Sequence, residues 1–446
     1  GKGIDTLSVT LAGAATATGE VNPTLKSIEN VNVKFADVNN NLNLTNATGV
    51  EKVTVNDSTA TAVGTVEGVG AAKLAVKNQA LGATFEDSTA TALDLTVEKI
   101  GVAGGAAAVV VVDSTVADTA TSLTLNTTDS NVDLNSTNND AYKTVTINAT
   151  GTNKVALTDV VGVVTDLTVK GSGSVDFTPT TLTALKTLNA SGTVGVTATV
   201  VGALASVTTG AGDDVITVAT SAAGTKAISL GAGDDTLTLF AGQTAIPTVT
   251  IDGGAGTKDT MVMNVTSADA YDNNTDFSSK VTGFERLEIS NAVTVALDLK
   301  NLGFTNYVTL AAASAGATLN NFANNATLVL DAANTVIATV ENASTNTANI
   351  FNIVTENDTA SVANVLTVAD VETINITATD TNTTTVDVAD TITLTANKAT
   401  TVSIAGNDSV ALTLTGSTLV TLIDGSTMTG ALTATTAVSA SAATIK

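Results

Sequence analysis

The sequence predicts an all-β, elongated parallel β-solenoid with roughly 20-residue coils and calcium-binding turns, on three observations. Apolar and polar residues alternate with a period of two along most of the chain. Glycine-bearing turns return at a fixed spacing, and the apolar residues are mostly too small to fill a thick globular core.

The alternation is plain in Thr236-Leu237-Thr238-Leu239, Val402-Ser403-Ile404 and Leu412-Thr413-Leu414-Thr415. β-branched residues in this rhythm predict strands with one buried face. The run Ala106 to Val112 stops at Asp113, far short of the roughly 20 residues that span a bilayer, and reads as a buried strand. Only Ser267 to Thr282 departs from the rhythm, as an irregular or partly helical excursion.

Turns ending at Gly151, Gly173, Gly192, Gly212, Gly233 and Gly256 follow one another at about 20 residues, the length of a solenoid coil. Where the spacing starts and stops sets three regions: a β-rich region 1–145, a core 146–262, and a β-rich region 263–446. A second pattern, apolar-Glu-x-apolar-x-apolar, recurs at Glu29, Glu51, Glu285 and Glu372. It predicts a strand entered from a tight turn, with the Glu at the rim accepting backbone N–H groups.

Composition narrows the function. The 446 residues are 43% hydrophobic but only 3% aromatic, with no Trp. The formal net charge of -24 comes from 42 acidic against 18 basic residues, and Arg286 is the one arginine, so nucleic acid is excluded as a partner. Absence of Cys and His removes thiol nucleophiles, Ser-His triads, Cys/His zinc sites, haem and iron–sulfur ligation. Divalent cations are the expected neutraliser of the excess charge.

Glycines supply backbone conformations closed to other residues, Asp a charged oxygen, and a following apolar residue the anchor of the next strand. These types recur in the frame Gly-Gly-x-Gly-x-Asp-x-apolar, which binds calcium in parallel β-helices. Gly210, Gly212, Asp213, Asp214 and Ile216 fit it, as do Gly231, Gly233, Asp234, Asp235 and Leu237. A third copy, with Gly254, Gly256 and Asp259, has one extra residue before its Asp, and Gly1, Gly3 and Asp5 open the chain in the same frame. Copies one coil apart place each ion between neighbouring coils, with Asp214 facing the turn around Gly231 and Asp235 the turn around Gly254.

These motifs, with the Thr/Ala/Val/Asn-rich composition, resemble the RTX family of secreted bacterial proteins, and within it the surface-layer proteins of Caulobacter and Campylobacter. The resemblance implies calcium-dependent folding outside the cell, type I secretion, and self-assembly into a two-dimensional coat. The start at Gly1, with no signal peptide, reads as a piece of a longer protein. Anchoring to lipopolysaccharide is expected of sequence not present here. The leading expectation is a structural lattice subunit and no enzyme. The alternatives are the stalk of a calcium-binding adhesin and, more remotely, a calcium-dependent polysaccharide lyase. Sugar platforms for the last are scarce, with 3 Tyr and 9 Phe.

Overall fold

A computed structural model describes the whole chain other than residues 1–2, 13–18, 38–39, 102–103, 115, 117–118, 136–141, 159–162, 202–205, 221–225, 275, 358–361, 381–387 and 437–443. The protein is a parallel β-solenoid whose coils average about 22 residues. It divides into two compact units: Gly1–Thr220 with Thr225–Asp235, and Ser221–Gly224 with Thr236–Lys446.

In the first unit each coil contributes one strand to each of two parallel sheets. The coil at Thr144–Thr150 shows why. Val145, Ile147 and Ala149 point inward and are at most 1% exposed, while Thr146 and Asn148 face outward. The left-handed turn at Gly151 then starts Thr152–Ala156 of the second sheet. One coil on, Val145 lies beside Leu167 and Ile147 beside Val169, so identical faces stack on identical faces. Burying each such aliphatic side chain is worth about 1.5–3 kcal/mol, and thin layers of Val, Ile, Leu and Ala suffice because every layer is covered by the next.

Outward residues repeat as well. The Asn148 side chain donates to Asn126 Oδ1 at 2.7 Å, and Asn126 donates to Asp94 at 3.1 Å. The Ala106–Val112 run is more interesting than a buried strand. Its strand is Ala108–Ser114, in which Val110 and Val112 are buried while Val109 is 38% exposed, because each sheet has one solvent face.

The second unit keeps the same logic. One sheet runs in chain order from Thr236–Thr238 to Thr444–Ile445, and another from Ala296–Asp298 to Leu432–Thr435. The excursion near residue 267 is helical, as Val265–Asp272 and Asp276–Lys280. Asn264 caps the first helix by accepting the Ser267 N–H at 2.9 Å, and Tyr271 stacks on Phe277 at 4.3 Å between ring centres. A short third helix, Leu299–Leu302, is capped by Asp298 and stopped by the left-handed Gly303. Coils occur on both sides of the 146–262 region, and no described helix is long and apolar enough to cross a membrane.

Candidate functional site

The turns 210–214 and 231–235 lie on each other in the first unit. Ala211 and Ala232 form a parallel bridge: the Gly212 N–H donates to the Ala232 carbonyl at 2.6 Å, and the Ala232 N–H to the Gly210 carbonyl at 2.8 Å. Glycine is required for that approach. Gly231 has φ 93° and Gly212 φ 147°, and a Cβ on them would collide with the Gly210 and Val194 carbonyls respectively.

The aspartate pairs split by depth. Asp213 is exposed, and its Oδ1 accepts the Asp234 N–H at 2.9 Å along the outer rim. Asp214 and Asp235 turn inward, at 1% and 0% exposure. Asp214 Oδ1 accepts the Val196 N–H at 2.6 Å, and Asp235 Oδ1 accepts the Asp214 N–H at 2.8 Å. Each carboxylate therefore faces the coil before it. Asp214 looks toward Val196, not toward the turn around Gly231 as its sequence frame suggests; a parallel turn presents its free amides to the following coil.

The second oxygen of Asp214 is buried and receives no well-formed hydrogen bond. Thr209 stands beside it, but its hydroxyl donates to the Leu230 carbonyl. Burial holds the Asp214 carboxyl above the ordinary carboxylate range; Thr209 and the Val196 and Gly210 amides act the other way, and Asp213 adds to the rise.

The third and fourth copies are built differently. Asp259 is fully buried, its N–H donates to Glu285 Oε2 at 3.0 Å, and its carbonyl accepts the Glu285 and Arg286 amides. Asp5 repeats this: its N–H donates to Glu29 Oε2 at 2.7 Å and its carbonyl accepts the Glu29 and Asn30 amides. Gly254 is left-handed at φ 105°, whereas Gly3 is exposed in open space. Gly256 belongs to the Asp259 turn, and Gly1 lies outside the described residues. Two of the recurring Glu residues, Glu29 and Glu285, thus belong with aspartate turns, a link that neither motif reveals alone. Glu372 plays the same part for the Asn349 N–H at 2.8 Å.

Chemically, the first-unit turns offer a buried carboxylate oxygen, a hydroxyl and closely stacked glycine carbonyls. Hard divalent cations take such oxygen sets, and the Asp214 oxygen that receives no well-formed hydrogen bond fits one. Among the described residues no three His, Cys, Asp or Glu side chains converge as a metal cluster, so peptide oxygens would supply much of the coordination. No protein-family model and no curated protein matches this sequence.

Proposed function

We propose that this protein is a calcium-stapled structural scaffold of a bacterial surface layer, exported by type I secretion and assembling with copies of itself into a lattice. The observation that carries the metal reading is Asp214, a carboxylate 1% exposed whose second oxygen receives no well-formed hydrogen bond, set among stacked glycine turns. An uncompensated buried charge costs several kcal/mol, and calcium offsets it where calcium is abundant, outside the cell. Cytosolic calcium is too low to fill sites of extracellular grade, which keeps an acidic chain unfolded until export.

The structural reading rests on the solenoid itself. Coils that contact only their neighbours make a scaffold with repeating polar faces, and the paired aspartates are engaged in holding turns together.

The test is to strip calcium from the purified protein with a chelator, restore it, and follow far-ultraviolet circular dichroism and negative-stain images. Calcium-driven gain of β-structure followed by two-dimensional sheets is expected. Unchanged β-structure in chelator would sink the metal reading, and isolated fibres in place of sheets would favour an adhesin stalk over a lattice.

A further inference from the structure

One sheet of the second unit turns an uncharged face to solvent. The sheet has seven strands, from Ala296–Asp298 to Leu432–Thr435, and in its last six the one charged residue is Asp390, which is buried and accepts the Val362 N–H at 2.8 Å. On the outer face Thr335, Val365, Thr393, Thr413 and Thr435 stand side by side in one file. Ile337, Thr367 and Thr395 form the next file, two residues along. Both files are β-branched throughout, and Ile337 and Val365 are 48% and 43% exposed. At the strand ends Glu341 is paired with Lys300 at 2.6 Å and Asp370 with Lys398 at 3.8 Å. Other outer faces carry charge. The unit's second sheet bears Arg286, Glu288, Glu356 and Asp424, and in the first unit Lys73 meets Asp94 at 2.9 Å and Lys77 meets Glu98 at 2.7 Å.

We infer that this uncharged face is where two copies of the chain meet, sheet against sheet. The inference rests on the self-assembly reading above and names the surface that carries it. A chain of net charge -24 repels its own copies, and the repulsion is least where both approaching surfaces are uncharged. A partner recognised through ion pairs finds nothing to pair with on this face, whereas a second copy brings the same neutral, methyl-bearing surface. The β-branched side chains are restricted at χ1, so little rotamer freedom is lost on contact. Two sheets of this kind pack about 10 Å apart. Six strands spaced by about 4.8 Å, each offering about five residues at about 3.3 Å, present about 500 Å² per copy. A pair of copies then covers about 1,000 Å², near the least that a specific interface needs. Such a contact is weak alone and suits a subunit held in an array by several.

The experiment follows the full chain in millimolar calcium by analytical ultracentrifugation over a range of protein and salt concentrations. It runs beside Val365→Glu/Thr393→Glu and Val365→Lys/Thr393→Lys. Thr413→Glu and Thr413→Lys, in the same file, stand in for any double variant that loses the parent's circular dichroism. The parent is expected to self-associate, more tightly as salt rises, because screening weakens the repulsion between acidic copies. Each variant alone should associate at least about tenfold more weakly, since like charges meet across the contact. An equal mixture of the Glu and Lys variants should recover the parent's association. A folded parent that stays monomeric overturns the self-assembly reading and this contact with it, and gives the face to an uncharged partner of another kind. A parent that associates beside variants that associate equally well, or beside a mixture that stays apart, overturns this face and leaves self-assembly standing. Association that weakens as salt rises also overturns it, in favour of ionic bridges between copies.

Discussion

Single residues in this solenoid act on the coil before their own. Glu372 accepts the Asn349 N–H at 2.8 Å and the Asn349 side-chain amide at 3.2 Å, at a site where Asn349 is 1% exposed. Glu372→Ala leaves the Asn349 N–H without its acceptor, while the side-chain amide keeps the Ala343 and Asp370 carbonyls, and a loss of about 1–3 kcal/mol is expected. Urea denaturation at neutral pH measures it, and an unmoved midpoint would mean that water replaces the carboxylate at no cost. At Gly212, φ 147° and the nearby Val194 carbonyl leave no room for a methyl group. Gly212→Ala should lower the melting temperature by the equivalent of at least about 1 kcal/mol, since strain and collision add; full retention would show that the turn can open. The sequence frame singles out both the glycines and the aspartates. The direction in which each aspartate points is invisible there, because it depends on which neighbouring coil leaves its amides free.

At the scale of elements, the stacking that repeats apolar residues inside also repeats charges outside. In the second unit Asp331 follows the strand Ala326–Leu330, near Glu356 and Glu288 of its sheet. Burial first, then the two glutamates, raise its carboxyl from 3.8 to about 6, although much of the residue is exposed by area. Burial also raises Glu288. A carboxyl whose folded pKa exceeds its unfolded one binds more protons when folded, so stability falls as pH climbs from about 4 to about 6 and is recovered on acidification. Asp331→Asn should therefore stabilise the protein at pH 7, by a few tenths of a kcal/mol given solvent screening, roughly the scale of exposed charge pairs. It should also flatten the pH dependence between those limits. Melting curves across that range decide it, and a variant with the parent's slope would show that Asp331 is not the group responsible. The helical excursion was legible as a broken period, but its caps at Asn264 and Asp298 draw on residues whose roles only the packed chain defines.

For the whole molecule, the parallel coils imply damage that stays local. Phe351 is fully buried and meets Phe322 edge-on at 4.9 Å. Phe351→Ala should cost about 3–5 kcal/mol through the cavity it leaves. In a chain whose repeats contact nearest neighbours, faster amide hydrogen exchange should be confined to the coils that flank strand Ile350–Asn357, namely Ala326–Leu330 and Thr373–Asp380. Exchange that rises equally throughout the second unit would instead mark it as one cooperative block.

The sequence by itself determined the solenoid, since period-two alternation and recurring glycine turns leave few other ways to bury small side chains, and it determined which aspartates lie in tight turns. It put coils at about 20 residues where the fold has about 22, because loop insertions vary while the paired strands stay in register. Only the tertiary structure decided that Asp214 is buried while its neighbour Asp213 lies on the rim. It alone joined Glu29 to Asp5 and Glu285 to Asp259, and placed Ser130, Asn153 and Asp214 in one file. These are relations between residues about one coil or more apart. They arise from register, the alignment of separate coils by shared burial, which no local pattern encodes.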